Sequence, residues 1–162
     1  MSPRLVTEVV LVFRTFPIRV AGAQAGPLPE ELTWEQLQAE SGSPVPLHEY
    51  TSVTRKLRRL GRFDSEAAKT AAMLNRPTRI AVNFLDYIDF KNRQASAWTA
   101  LTPSARSFVR DLEGVCGAPA LYLGTGPQLS DNVSDTAWST RLGSWSALGV
   151  LSVQAWGVNN EH

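Results

Sequence analysis

Five of the eight residues in the run Arg55-Lys56-Leu57-Arg58-Arg59-Leu60-Gly61-Arg62 are basic, and they follow the hydroxyl-rich stretch Tyr50-Thr51-Ser52-Val53-Thr54. Guanidinium forks match carboxylate and phosphate geometry bidentately, and hydroxyls with loop amides can complete a cradle for an anion. The same composition also describes a solvated basic face. No aromatic residue interleaves with the cations, which argues against nucleic acid as the partner.

Two further segments could do chemistry. Asp86 follows the apolar run Ile80-Ala81-Val82. A carboxylate there can accept two hydrogen bonds from a ring N–H and an exocyclic amine, the edge that guanine presents; it reads equally as a turn-forming aspartate. Leu123-Gly124-Thr125-Gly126-Pro127 places two glycines where a base or phosphate could lie against the backbone, or where the chain simply turns.

These groups need elements to position them. Val9 to Phe13 is a short β-branched run that fits a buried strand, and it leads through Arg14-Thr15-Phe16-Pro17 into the small-residue segment Ala21 to Pro27. Thr33 with Gln36 forms a capping-box pattern for a helix over 33–39, which Gly42 and Pro44 stop. The stretch that follows, to Leu60, reads as polar and irregular. Asp64 caps a second helix through Leu74, with Ala67, Ala71 and Leu74 on its apolar face, and Asn75 and Pro77 end it. Thr78 to Phe84 alternates as a strand. A third helix starts near Thr102 with Pro103 in its first turn, buries Phe108, Leu112 and Val115, and closes at Gly117. Ala120 to Leu123 is another short strand. Twice a helix leads into a strand whose carboxyl end meets a polar loop, which is α/β organisation, and ligands of such sheets gather beyond those ends.

Composition narrows the class. With 162 residues, 43% apolar and 19% charged, the chain suits one folded domain, and a net charge of +1 leaves no global field for nucleic acid or membrane. No apolar run reaches the roughly 20 residues needed to span a bilayer. The amino terminus does not read as a signal peptide, so an intracellular, cytoplasmic setting is expected. Cys116 is the single cysteine and reads as a buried structural thiol. His48 and His162 are the only histidines, too few for a histidine-rich metal site. The chain divides into residues 1–127 and a polar linker with a Trp-bearing extension over 128–162, where Trp145, Leu148, Val150, Leu151, Val153 and Trp156 supply apolar weight.

Taken in order, four segments resemble the adenylosuccinate synthetase family, in the version found in shorter archaeal and phage-type members. Arg14 to Gly22 with Gly26 to Glu31 resembles the segment that passes the nucleotide ribose. Thr51 to Gly61 resembles the arginine-rich aspartate loop, Arg76 to Asp89 the guanine-reading strand, and Leu123 to Pro127 the terminal nucleotide-base loop. The resemblance covers roughly residues 8 to 127. It implies a partial, P-loop NTPase-related α/β fold that lacks the family's amino-terminal phosphate-loop half.

Family enzymes join aspartate to inosine monophosphate (IMP) at the expense of GTP, with magnesium; phage-type relatives use a guanine deoxynucleotide instead of IMP. Carried over by motif, Val20 would face the ribose through its backbone, and Thr54, Arg58 and Arg59 would hold the aspartate carboxylates. Lys56 stands where the family carries an arginine that serves both ribose and aspartate, and Arg55 where it carries glycine. Asp86 would read guanine, with Gly124 and Gly126 packing near the same base, while Phe84 stands where many bacterial members carry lysine. The family's GDEGKGK loop, its catalytic aspartate and its catalytic histidine have no counterpart in these 162 residues, so no catalytic residue or magnesium ligand is assigned and the chain alone is expected to be inactive. The expected partners are a purine nucleotide, aspartate, and either further copies of this chain or a chain carrying the amino-terminal half. The alternative reading is a non-catalytic module for nucleotide sensing or protein association.

Overall fold

A computed structural model describes residues 6–134. The elements are β1 (Val10–Arg14), β2 (Ile18–Arg19), β3 (Glu31–Leu32), α1 (Trp34–Ser41), β4 (Arg59–Gly61), α2 (Ser65–Asn75), β5 (Arg79–Asn83), α3 (Pro103–Cys116) and β6 (Ala120–Leu123). Strands β1, β5 and β6 form a parallel sheet in that order, and β2, β4 and β3 form a small antiparallel sheet with β4 central.

The parallel sheet holds the main core. Strand β5 lies between two neighbours, so Ile80 and Val82 lose all contact with water, and Val109 and Leu112 of α3 and Ala68 of α2 pack in the same cluster. Fully burying an aliphatic side chain contributes about 1.5–3 kcal/mol, which makes this layer the main apolar support of the fold. A second cluster, Trp34, Leu37, Leu47, Leu60 and Tyr87, ties α1 and the antiparallel sheet to the turn after β5.

Local signals set the element limits. Thr33 and Gln36 make the reciprocal capping box, Asp64 caps α2 through the Ala67 amide, and Thr102 caps α3 with Pro103 in its first turn. Gly42 and Gly117 close α1 and α3 in the left-handed conformation that lacks a steric penalty only for glycine.

Several expectations need correction. Helix α2 buries Ala68 and Ala72, while Ala67 is exposed and Leu74 is 73% exposed: the face that meets α3 is offset by one residue from the apolar stripe read from the sequence. In α3, Ala105 and Val109 are fully buried together with Leu112, whereas Phe108 and Val115 are only partly covered. Phe84 does not extend β5; it turns left-handed at φ 67° and ends the strand. Cys116 is half-buried rather than fully buried, and that burial raises its thiol pKa. The stretch before Leu60 has no helix or strand until β4, and the isolated Tyr50–Leu57 bridge closes part of it into a tight hairpin described below. The antiparallel sheet has no periodic signature, because its strands are two and three residues long.

After β6 the chain returns: the Val133 amide donates to the Leu123 carbonyl at 3.0 Å, and Val133 joins the main core. Packing therefore continues through Ser134. The apolar positions from Trp145 to Trp156, and His162, lie outside the described residues.

The two apolar α/β layers predict a contrast in urea unfolding. Ile80→Ala should cost about 2–5 kcal/mol by opening a cavity in the closed layer. Leu74→Ala should stay within about 0.5 kcal/mol because its side chain is exposed. Equal losses would put the corrected α2 face in doubt.

Candidate functional site

The basic run begins in a hairpin. Tyr50 and Leu57 pair antiparallel, the Arg58 amide donates to the Glu49 carbonyl at 2.8 Å, and the Thr51 amide donates to the Lys56 carbonyl at 2.9 Å. The tip is tightened by Arg55 at φ 52° and by a hydrogen bond between the Thr51 and Thr54 hydroxyls. A left-handed residue here is the position where glycine is cheapest, and arginine holds it at some steric cost. Ser52, Val53, Thr54, Arg55, Lys56 and Leu57 are all exposed, so hydroxyls and cations project together from a structured loop.

Behind the tip the cations are engaged. Glu49 accepts from the Arg14 guanidinium and from the Tyr87 hydroxyl at 3.2 Å, and its second oxygen lies 3.9 Å from Arg58 Nη1. Arg14 also stacks over the Phe84 ring at 3.8 Å. Burial and the Glu49 charge push the Tyr87 hydroxyl well above its ordinary pKa, so it stays a neutral donor to Glu49. Trp34 fixes the Arg58 backbone by donating its indole N–H to the carbonyl at 2.8 Å, yet Arg58 Nε is buried without a hydrogen-bond partner. Arg59 is occupied by Glu31 and by the Gly26 carbonyl at 2.9 Å, so it braces the small-residue segment against β4. Val20 is exposed just beyond β2.

The second group forms at the carboxyl ends of β5 and β6. The Gly124 amide donates to the Val82 carbonyl at 2.8 Å, and the Leu85 amide to the Gly124 carbonyl at 3.0 Å. These two bonds join the turn after β5 to the loop after β6. Asp86 sits in that turn, a single 3-10 turn over Leu85–Tyr87, and is 1% exposed. Its Oδ2 accepts from Arg93 Nη1 at 2.8 Å, whereas Oδ1 has no partner. Burial raises the Asp86 pKa, and the Arg93 hydrogen bond and charge act in the opposite direction. A buried acceptor left unmade costs about 1–3 kcal/mol, so Oδ1 marks a position that a donor would stabilise.

Each glycine of the neighbouring loop has a local cause. A Cβ on Gly124 would stand 2.6 Å from Asn83 Oδ1, and one on Gly126 would stand 2.5 Å from Asp131 Oδ2. Asp131 in turn accepts from the Gln128 amide at 3.0 Å. The loop is thus drawn tightly onto the sheet by the protein's own polar side chains. Thr125 between the glycines is buried and donates to the Ala95 carbonyl at 3.0 Å.

The two groups are linked rather than fused. Arg58 pairs with Glu49 and Asp86 with Arg93, and the connection runs from Arg58 through Glu49 to Tyr87, the residue after Asp86. Glu49, Arg14, Arg93 and Asp131 were not singled out from sequence. Arg93 lies seven residues after Asp86, at the end of a second 3-10 turn, and no regular period announces that pairing. Among the described residues, no three His, Cys, Asp or Glu side chains gather closely enough to hold a metal ion. No described helix is long and apolar enough to cross a membrane.

The fold is an α/β unit with one parallel and one antiparallel sheet. The adenylosuccinate synthetase family model matches residues 1–93, more than half of the sequence, and the chain belongs to that family. The synthetase of Methanocaldococcus jannaschii is 38% identical over 133 residues, which is 82% of this chain and 36% of that protein. The Archaeoglobus fulgidus enzyme is 34% identical over 129 residues, 80% of this chain and 36% of its own length. The chain therefore spans little more than a third of the relatives it matches. Among solved structures, fully ligated adenylosuccinate synthetase from Plasmodium falciparum shares the fold at a TM-score of 0.67 and 15% identity, over 83% of this chain and 41% of that one. The cyanophage S-2L succinoaminodeoxyadenylate synthetase, bound to dGMP and dATP, matches at a TM-score of 0.52 and 27% identity, over 83% and 36% of the two chains.

The glycine geometry gives a direct test. Gly126→Ala should lose about 1–3 kcal/mol of stability in thermal or urea unfolding, and the loss should shrink in an Asp131→Ala background where the clashing carboxylate is gone. A loss of the same size in both backgrounds would show that Asp131 is not what excludes a side chain there.

Proposed function

We propose that this chain supplies the aspartate- and IMP-binding loop and the guanine-binding loop of an adenylosuccinate synthetase-type ligase, with the phosphate-handling residues supplied by a partner chain. The observation that carries the reading is Asp86: a carboxylate at the carboxyl end of the central parallel strand, buried, with Oδ1 unpartnered beside the strapped Gly124-Thr125-Gly126 loop.

Each residue contributes through its own chemistry. Asp86 offers Oδ1 to the N–H edge of guanine, and the guanidinium of Arg93 holds the other oxygen until or while the base binds. Arg93 opposes the burial-driven rise in the Asp86 pKa and orients the carboxylate through Oδ2. Gly124 and Gly126 let the loop lie close to that carboxylate. In the hairpin, Thr54 and Lys56 project an alcohol and a cation, and the partly exposed Arg58 guanidinium behind them is the fork for the carboxylates of aspartate. Arg59 orders the segment before β3, and the Val20 backbone faces the nucleotide ribose. GTP, when bound, supplies the phosphoryl group that turns the purine 6-oxygen into a leaving group. No residue of this chain is given a role toward magnesium.

The test combines this chain with a partner carrying a GDEGKGK loop, together with GTP, IMP, aspartate and magnesium, and follows adenylosuccinate formation. Product is expected from the mixture and not from this chain alone, and Arg58→Lys should cut turnover by about 10-fold or more through loss of the fork. Absence of product with every such partner, alongside retained guanine-nucleotide binding, would favour nucleotide sensing instead.

Binding itself should depend on pH in a defined direction. Asp86 must be ionised to accept the guanine edge, and its pKa is raised above the ordinary 3.8 by burial. Calorimetry with GDP should therefore show affinity falling on acidification at a pH above the usual aspartate range, and Asp86→Ala should abolish both the binding and its pH response. A pH-independent affinity unaffected by that substitution contradicts the assignment.

A further inference from the structure

We infer that Arg93 is a gate on the Asp86 carboxylate: its side chain closes the site in the free chain and swings away to let a purine edge reach Oδ1. The inference rests on the reading of Asp86 as the base-binding group, and it names the residue that controls entry to that group.

Reach and role do not match in the free chain. Asp86 is 1% exposed, and Oδ1 is buried with no hydrogen-bond partner. A base edge must bring an N–H donor to about 3 Å from a carboxylate oxygen, and an enclosed atom admits no such approach from solvent. Binding therefore requires a neighbour of Asp86 to yield.

Most of the neighbours are fixed. The loop after β6 is held by the Gly124 amide on the Val82 carbonyl at 2.8 Å and by the Leu85 amide on the Gly124 carbonyl at 3.0 Å. Thr125 is buried with its hydroxyl on the Ala95 carbonyl, and Asp131 fills the space beside Gly126. Asn92 is fully buried; its side chain donates to the Leu85 carbonyl at 3.0 Å and accepts from the Thr102 amide at 2.7 Å. Moving any of these leaves buried polar groups unmade, which is costly.

Arg93 differs in its side chain. Its backbone is anchored between Asn92 and Gln94, whose amide donates to the Thr125 carbonyl at 3.2 Å. The guanidinium, in contrast, reaches Asp86 Oδ2 through one 2.8 Å bond at the end of a long flexible stem. With one side chain of the pair 34% exposed and the other 1%, Arg93 is the member that meets solvent. Rotamer changes of such a side chain are fast and leave the backbone in place. The Phe90 ring, 5.6 Å from the guanidinium carbon, offers a cation–π face to the displaced charge.

A base that enters only when Arg93 has left binds with an affinity reduced by the fraction of time the gate is open. A hydrogen bond between two charged groups holds that fraction at about a tenth or less. Removing a gate tightens binding, whereas removing a residue needed to orient the carboxylate on the base loosens it. The sign of the effect separates the two roles.

The experiment follows GDP binding to the full chain by calorimetry and stopped-flow fluorescence, at alkaline pH to keep Asp86 ionised once Arg93 is replaced. Arg93→Ala is expected to tighten binding about 10-fold, with the gain in the association rate and little change in dissociation. Arg93→Gln, which removes the charge and keeps an N–H donor, should change in the same direction and serves where Arg93→Ala fails to fold by circular dichroism. Arg93→Lys, which keeps a cation for Oδ2, should stay close to the unsubstituted chain. Unchanged or weaker binding in the folded Arg93→Ala and Arg93→Gln variants, or a gain carried by slower dissociation alone, overturns the gate. If Asp86→Ala still abolishes binding in that case, the base site stands without it. GDP binding that survives Asp86→Ala, or no binding by any variant, overturns the base site and the gate together.

Discussion

The parallel pairing of β5 with both neighbours is the constraint on which the rest depends. It buries Ile80 and Val82 completely and brings the ends of β5 and β6 to the same level. Two backbone bonds, Gly124 to Val82 and Leu85 to Gly124, then stitch the following loops together. Asp86 owes its position to that stitching: a carboxylate on a free turn would swing into water, whereas here it is enclosed and held on one side by Arg93. Enclosure makes the unpartnered oxygen costly.

A second polar centre, Glu49, organises the cationic side. It draws Arg14, Arg58 and Tyr87 to one carboxylate, while the hairpin it anchors projects Thr54, Arg55 and Lys56 into solvent. The basic run is therefore divided by function. Arg59 and Arg62 satisfy glutamates and brace the small sheet, and those carboxylates are held below their usual pKa by the pairing. Such exposed pairs contribute little stability each, so their role is geometric. Within the basic run, Arg58 combines a glutamate partner with a buried Nε that makes no hydrogen bond.

Much of the fold was legible because its signals are local. The Thr33–Gln36 capping box, the Asp64 and Thr102 caps, and the β-branched strands declare themselves within a few residues. The α2 face was misread by one position because alanines at 67, 68, 71 and 72 allow more than one apolar stripe, and only contact with α3 selects among them. The short antiparallel sheet was invisible, since two-residue strands carry no period. In the site, the order of four segments pointed to the family, but the partners that orient them did not show. Glu49 and Arg93 act across 9 and 7 positions of chain, to Arg58 and Asp86 respectively, through turns whose geometry no composition encodes.

The central claim is that a guanine ring docks on the carboxylate enclosed between the ends of β5 and β6. Amide chemical-shift mapping of the full chain during titration with GDP tests it most directly. The account predicts shifts concentrated at Leu85, Asp86, Arg93, Gly124 and Gly126, with the 51–58 hairpin unmoved. Shifts confined to that hairpin, or the same response to ADP, would contradict it.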